Sequence, residues 1–335
     1  MKLIVPMAGR GTRVRPHSHV TPKPLLTVKG RTIVERIVDT FARVLPEVPD
    51  EGVFVLGPDF GSEIREQLEQ ICEARDMSAS FAVQESAEGT AHAVGCAGDH
   101  LEGEGIVVFA DTLFRIDEDV DLGSSDVVIW VKHVDDPSRF GVAVRDGDGE
   151  EVTRLVEKPD EPISNEAIIG IYYVRELADL GDEIQYLIDN DVRGKGGELQ
   201  LTDAFDRMLQ GGQRFTTSGV DAWMDCGTIP ALLETTTRIL QSEEEDELHQ
   251  GTVKDSIIHD PVYIGPGATI DGAVVGPNVS VEQGATVRNT VIRDSIVYPH
   301  SHVDASVLTD SIVGRHAVVK AVTGTVNIGD HSTVG

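Results

Sequence analysis

Residues 2–13 read Lys2-Leu3-Ile4-Val5-Pro6-Met7-Ala8-Gly9-Arg10-Gly11-Thr12-Arg13. Lys2–Pro6 makes a short apolar strand, two glycines follow it, and Thr32–Leu45 (TIVERIVDTFARVL) then sets helical apolar spacing. Glycines let backbone N–H groups approach a phosphate closely, and arginines add charge. Alone, the G-x-G-T-R loop fits a plain turn after a strand equally well. It is neither a Walker loop, for lack of G-K-[ST], nor the dinucleotide pattern G-x-G-x-x-G.

Charge gives the loop its meaning. The chain has 335 residues and a formal net charge of −29, from 57 Asp+Glu against 28 Lys+Arg, yet residues 1–34 contain no acid. Lys2, Arg10, Arg13, Arg15, Lys23, Lys29 and Arg31 all fall in that island. A positive island on so acidic a chain predicts a polyanionic ligand. In Thr21-Pro22-Lys23-Pro24-Leu25 the flanking prolines restrict the backbone and present the ammonium from a stiff segment.

The acid excess argues against generic binding to nucleic acid or to an anionic membrane, because the overall field repels both. There are 8 lysines against 20 arginines, and the acids are spread along the whole chain. That composition suits a protein kept soluble in concentrated salt, where repulsion is screened, so a halophilic source is expected. An ordinary acidic protein is the plainer alternative. Mean hydropathy of −0.10 with 40% apolar residues argues for a folded, non-membrane chain. No apolar run approaches the roughly 18 residues a bilayer span needs, and the N-terminal run is too short for a signal peptide. Cys72, Cys96 and Cys226 are too scattered for a disulfide framework or a zinc site. A cytoplasmic location is expected.

Up to about residue 240 apolar strands alternate with helical stretches. Val53–Leu56 precedes a helix over Ser62–Arg75, Ser80–Val83 precedes Thr90–Leu101, and Ile106–Ala110 leads through a loop to Val127–Val131. This rhythm predicts a mixed, mostly parallel, Rossmann-like sheet covered by helices. Ligands of such sheets bind beyond the carboxyl ends of the strands, where the glycine loop, Gln84 and Asp111 all fall. Later strands are expected at Gly141–Arg145, Val152–Val156 and Ala167–Val174, with helices near Asp182–Asn190 and Leu201–Gln210. Thr228 with Pro230 opens a helix running to about Gln241. The acidic run Ser242-Glu243-Glu244-Glu245-Asp246-Glu247 then reads as a solvated helix end or linker.

After residue 252 the pattern changes. Ile258, Ile264, Ile270, Val275, Val281, Val287, Ile292, Val297, Val303, Leu308, Val313 and Val319 recur every five or six residues, with small residues, Gly, Asn and Asp between them. Asp-Ser-Ile recurs at 255–257, 294–296 and 310–312. This is hexapeptide periodicity, and it predicts a left-handed β-helix of about four or five coils. The domains expected are therefore 1–243 and 252–335. The pattern stops in mid-repeat at Gly335.

Taken in order, several motifs resemble those of the sugar-nucleotide pyrophosphorylases, the family that includes glucose-1-phosphate thymidylyl- and uridylyltransferases. The family pattern G-x-G-T-R-x-x-P stands here as Gly9 to Pro16, and P-K-P-L as Pro22-Lys23-Pro24-Leu25. Q-x₄-G-T-A is Gln84 with Gly89-Thr90-Ala91, and the strand-end aspartate is Asp111 in Phe109-Ala110-Asp111-Thr112. Further matches are Phe140-Gly141-Val142, Glu157-Lys158-Pro159, Gly170-Ile171-Tyr172 and Trp223-Met224-Asp225-Cys226-Gly227-Thr228. Two departures stand out. The usual leucine-alanine-alanine-glycine opening is Pro6-Met7-Ala8-Gly9, and Ile168 replaces the asparagine of N-acetylglucosamine-specific relatives, which favours an unacetylated sugar.

The resemblance implies attack by a sugar-1-phosphate oxygen on the α-phosphorus of UTP or dTTP, with pyrophosphate leaving. Glucose 1-phosphate is the expected sugar substrate. It implies that Arg13 holds the pyrophosphate and that Lys23 bridges the α-phosphate and the sugar phosphate. Asp111 and Asp225 would ligate Mg²⁺. Ala8, Gly9, Gly11, Thr12, Gln84, Gly89 and Thr90 would surround the nucleotide, with Gln84 on the pyrimidine edge. Gly141, Glu157, Lys158 and Gly170 would receive the sugar phosphate. Residue by residue, plainer roles stay open: solvated charge for Lys23, Arg13 and Lys158, a turn or helix cap for Asp111 and Asp225, and a strand-end polar residue for Gln84. Cys226 reads as a packing residue, and Glu198 and Asp203 as residues that order a loop and start a helix.

Two other functions compete. His300, His302 and His316 would let the β-helix act as an acyltransferase, although few coils are available. A non-catalytic regulatory subunit would be expected to lose Lys23, Arg13 or Asp111, and all three are present. The β-helix is expected to mediate homo-oligomerisation. Nothing in the sequence separates UTP from dTTP.

Overall fold

The computed structural model describes residues 1–9, 11–117, 122–123, 125–146, 149, 151–242 and 249–335. The acidic run over 243–247 lies outside the described residues, as does the expected domain end at 243. Two compact units form. One comprises Met1–Gly9, Ile37–Ala110 and Phe114–Trp223; the other comprises 11–36, Asp111–Leu113 and Met224–Gly335.

The first unit is built on a nine-stranded sheet. Seven strands run in the order Val152–Glu157, Gly141–Arg145, Glu166–Val174, Gly105–Val108, Lys2–Pro6, Glu51–Leu56, Ser78–Val83. The last four are mutually parallel, in a register that sets Lys2 beside Gly105 and Glu51, and Glu51 beside Ser78. Ile4, Val53, Val55 and Val107 belong to the buried core of this unit, each such side chain contributing about 1.5–3 kcal/mol through burial. Glu166–Val174 turns the sheet antiparallel and pairs with Gly105–Val108 and with Val127–His133, which in turn pairs with Phe215–Gly219. A register shift between Ile168 and Tyr172 makes a bulge, and Gly170 within it has φ 80°, a conformation glycine adopts without strain.

Two helices depart from the expected bounds. The helix begun at Thr90 ends at Gly95, and Gly98 at φ 55° starts a separate 3-10 turn. The helix expected from Asp182 starts earlier, at Leu177, because the Glu176 carboxylate accepts the Ala178 N–H as an N-cap.

In the second unit three parallel sheets of six, five and five short strands climb from Thr252 to Val334. Of the twelve predicted inward aliphatics, all but the half-buried Ile258 lie fully buried in one core. The Asp-Ser-Ile repeat has a physical cause. Asp255, Asp294 and Asp310 sit at φ 46–48°, a left-handed position that aspartate tolerates. The serine that follows donates to the carbonyl two residues back and accepts an N–H from the next coil. Ser295 Oγ donates to Arg293 O at 2.6 Å and accepts from Ser311 N at 3.1 Å, and Ser311 Oγ accepts from Val326 N at 2.9 Å.

The same unit includes the segment 11–36. The Gly30 N–H donates to the buried Glu282 carboxylate (3.1 and 3.3 Å), and a side chain at Gly30 would overlap the Tyr263 hydroxyl. The segment closes with a capping box, in which Glu35 N donates to Thr32 Oγ1 (3.1 Å) and Thr32 N donates to the Glu35 carboxylate (3.3 Å). That box starts the helix Ile33–Val44.

Candidate active site

The second unit gathers Gly11, Arg13, Lys23, Asp111 and Asp225. Gly11 is left-handed (φ 56°, ψ 40°), and a Cβ placed on it would lie 2.9 Å from the Lys23 Cβ. Only glycine lets the loop fold this tightly onto the lysine. Ser18 Oγ donates to Gly11 O at 2.6 Å and pins the turn. Thr12–Val14 forms one 3-10 turn on which Thr12 and Arg13 are exposed. Lys23 opens a second, Lys23–Leu25, and is only 8% exposed. Its ammonium lies 3.4 Å from Asp111 Oδ2.

Cys226 N donates to Asp111 O at 3.1 Å and so sets the Asp225 turn beside Asp111. Asp225 Oδ1 accepts the Gly227 N–H at 2.7 Å, while Thr228 Oγ1 caps the following helix by accepting from Ala231 N at 3.3 Å. The cap is therefore Thr228, and the exposed Asp225 carboxylate has its second oxygen facing no hydrogen-bond donor among the described residues. Arg13 Nη2 is 3.4 Å from where a Gly227 Cβ would stand. Cys226 is fully buried, and burial pushes its thiol up to about 12 in spite of the Lys23 charge. It is a packing residue.

The first unit carries the remaining residues. Ala8 and Gly9 follow strand Lys2–Pro6, with Gly9 exposed and open space where a Cβ would stand. Gln84 follows strand Ser78–Val83, is buried, and its Nε2 lies 3.0 Å from His92 Nδ1. Gly89 has φ 131°, and a Cβ there would collide with the Leu199 backbone. The Thr90 hydroxyl accepts from Leu201 N (2.9 Å) and donates to Gln200 Oε1 (3.3 Å), so its proton is engaged inside the fold.

Gly141, Glu157 and Lys158 come together. A Cβ on Gly141 would lie 2.9 Å from Glu157 Oε2, which also accepts the Thr202 hydroxyl at 2.8 Å. Glu157 Oε1 pairs with Lys158 Nζ at 2.9 Å, and Lys158 itself is left-handed (φ 43°). Gly170 packs instead on the Phe109 ring. Asp203 lies in the first turn of helix Leu201–Gln210, its carboxyl raised by burial and by Glu157 and Asp206. Glu198 accepts from Gln200 Nε2 at 3.4 Å within the preceding loop.

Sequence reasoning missed His92 and Thr202. His92 lies eight residues after Gln84 and Thr202 lies 45 after Glu157, and neither belongs to a motif with a chemical reason for that spacing. On the β-helix, the His316 ring stacks between those of His300 and His331 (centroids 5.1 and 5.0 Å away).

Residues 2–242 match the family model for nucleotidyl transferases, and residues 246–303 match that for the GlmU-like C-terminal hexapeptide region. The chain is 28% identical to the low-salt glycan biosynthesis nucleotidyltransferase Agl11 of Haloferax volcanii, over 95% of this chain and 93% of that one. It is 27% identical to a glucose-1-phosphate thymidylyltransferase of Streptomyces antibioticus, over 100% and 99% of the two chains. A crystal structure of UDP-glucose pyrophosphorylase complexed with UDP-glucose shares the fold with a TM-score of 0.59 at 22% identity, covering 72% of this chain and 99% of that one.

Proposed function

The chain belongs to the nucleotidyl transferase family, and from that premise we propose that it joins UTP or dTTP to a sugar 1-phosphate, glucose 1-phosphate first among the candidates. A phosphate oxygen of the sugar phosphate attacks the α-phosphorus. The bond from the α-phosphorus to the bridging oxygen breaks, and pyrophosphate leaves with the electron pair. The nucleophile is already ionised, so the protein supplies position and positive charge rather than a base.

The observation that carries this reading is the Gly11–Lys23 turn, which holds a buried ammonium beside Asp111 under a loop without acids. In this reading Lys23 bridges the α-phosphate and the sugar phosphate, and Arg13 receives the pyrophosphate. Gln84, with His92 accepting from its amide, offers its carbonyl and second N–H to a pyrimidine edge. Ala8, Gly9, Gly11, Thr12, Gly89 and Thr90 shape the nucleotide site, the last two through backbone. Glu157 accepts sugar hydroxyls, Lys158 takes the sugar phosphate, and Gly141 and Gly170 leave room. The buried Ile168 in place of an asparagine, and the thymidylyltransferase relative, support glucose 1-phosphate over an acetylated sugar.

Asp111 and Asp225 fit a divalent cation of the Mg²⁺ kind. Both offer carboxylate oxygens, and among the described residues no group of three or more His, Cys, Asp or Glu could enclose a metal. Two carboxylates with open positions suit a hard cation shared with substrate phosphates. Such an ion would neutralise charge developing on the phosphate oxygens.

The division of the chain at 1–243 and 252–335 is also part of this proposal, as is a homo-oligomer built on the β-helix. Ile257, Val291 and Val307 stand 46–57% exposed in one register row of its five-stranded face, which supports such an assembly. No helix among the described residues is long and apolar enough to cross a membrane. A cytoplasm rich in salt is the setting that the acid excess supports.

The test is pyrophosphate release in molar KCl with Mg²⁺, crossing UTP, dTTP, ATP and GTP with glucose-, N-acetylglucosamine- and mannose-1-phosphate. Release with a pyrimidine triphosphate and glucose 1-phosphate is expected. Silence across the grid from folded protein would overturn the proposal.

A further inference from the structure

Lys23 is bracketed by the β-helix. Two residues before it, Thr21 Oγ1 donates to Asp330 Oδ2 at 2.9 Å. Two residues after it, Leu25 O accepts from Arg315 Nη2 at 3.3 Å. The holders are joined to each other, because Arg315 N donates to Asp330 Oδ1 at 2.8 Å. The two contacts reach across 309 and 290 residues of sequence.

Between the brackets the backbone is already stiff. Leu25 N donates to Pro22 O at 2.9 Å and Leu26 N to Lys23 O at 3.0 Å. Such a turn moves as one piece, so fixing its two ends fixes where the lysine starts. A second tie lies further along, where Gly30 N meets the Glu282 carboxylate. Burial pushes that carboxyl up, against the bonds from Ser280 and Gly30 and the Arg36 charge. A carboxylate in so buried a place is costly unless it is hydrogen-bonded, and Gly30 N and the Ser280 hydroxyl supply those bonds here.

We infer that Arg315 and Asp330 are positioning residues for the transfer reaction, acting through Thr21 and Leu25 to hold the Lys23 turn. The β-helix then has a part in the chemistry beyond any assembly it mediates. This inference rests on the reading of Lys23 given above. A phosphoryl-transfer site that works by position loses rate steeply when a charged group is misplaced by about an ångström, so rate should fall while substrate affinity stays.

The experiment uses the full chain. Thr21→Val removes one hydroxyl at nearly constant shape, Asp330→Ala removes its partner, and Asp330→Asn keeps a group able to bond Thr21. Asp304→Ala is the control, since Asp304 accepts from Asn289 between coils and makes no hydrogen bond to 11–36. Thr21→Val and Asp330→Ala should each lower kcat about fivefold or more with KM changed less than about twofold. The double variant should lose no more than Asp330→Ala alone, because removing Asp330 already removes the Thr21 bond along with the one from Arg315 N, and Asp330→Asn should restore most of the rate. Hydrogen exchange at the Leu25 and Leu26 amides should quicken in both single variants and stay unchanged in Asp304→Ala.

Unchanged exchange and unchanged kcat in Thr21→Val and Asp330→Ala would overturn the inference, as would losses that multiply in the double variant. The exchange comparison needs no turnover. A wild-type chain inactive on every substrate pair would overturn the functional reading, and unchanged exchange would then still overturn the clasp by itself.

Discussion

The Lys23 ammonium stands 3.4 Å from Asp111 Oδ2, with the lysine 8% exposed and the aspartate side chain 47% exposed. The arrangement is lopsided. Removing the lysine leaves a carboxylate that water can reach, so stability changes little, whereas a substrate phosphate loses its buried positive charge. Lys23→Ala is therefore expected to lower kcat by about two to three orders of magnitude with thermal unfolding shifted by only a few degrees. Lys23→Arg should not rescue it, because the planar guanidinium is larger than the ammonium and the lysine is only 8% exposed. Pyrophosphate release and a melting curve check both, and more than a tenth of wild-type rate in Lys23→Ala would remove the lysine from its role.

Gly9 and Gly89 look alike in sequence and differ in structure. Gly89 is at φ 131° with the Leu199 backbone where a side chain would go, so Gly89→Ala should cost about 2–4 kcal/mol. A Cβ on Gly9 meets only open space, so Gly9→Ala should leave the denaturant midpoint unchanged. If that space receives the nucleotide, its KM for the triphosphate should rise several-fold while KM for the sugar phosphate stays. An unaltered triphosphate KM would place the nucleotide elsewhere.

These contrasts mark what the sequence could carry. The places of the strands and helices along the chain and the inward residues of the coils follow from apolar periodicity, because a period of two, of 3.6 or of six constrains which face is buried; the order of the strands in the sheet does not. Lys23 and Arg13 stood out because scarce lysine and an acid-free island are visible without coordinates, and Asp111 because it follows a predicted strand at its carboxyl end. Partners joined by tertiary contact left no such trace. Thr202 beneath Glu157, His92 beneath Gln84, and Arg315 with Asp330 around Lys23 are ordinary residues at uninformative spacings. Thr90 shows the converse, since its place in a motif suggested a ligand and the fold employs its hydroxyl against Leu201.

His92 gives a test of base reading. With Gln84 Nε2 donating to its Nδ1, the ring carries its proton on Nε2, which lies 3.8 Å from the Cys96 sulfur. The amide is then oriented before any nucleotide arrives, which spares the cost of ordering it on binding. His92→Leu should raise KM for the preferred pyrimidine triphosphate about tenfold and narrow its advantage over CTP, leaving KM for the sugar phosphate alone. Equal changes in both KM values would mean that the substitution disturbs the sheet edge generally.

His17 links stability to pH. It is fully buried, its ring meeting Tyr298 edge-on at 6.0 Å, and burial lowers its pKa from 6.5 to about 4 against the opposing attraction of Asp330. Above about pH 6.5 the imidazole is neutral in both folded and unfolded chains, and its full contribution is present. Between pH 6.5 and 4 the unfolded chain binds a proton that the folded chain refuses, so stability falls as pH falls, by about 3 kcal/mol across the window. Glu282 acts in the opposite sense, since its raised carboxyl takes up a proton in the folded chain first as pH falls. A comparison with His17→Phe isolates the histidine, because phenylalanine keeps the aromatic edge and has no proton to bind. Denaturant unfolding at pH 7.5, 6, 5 and 4 should show the variant gaining on the wild type at each step down, and parallel curves would show that His17 does not control this dependence.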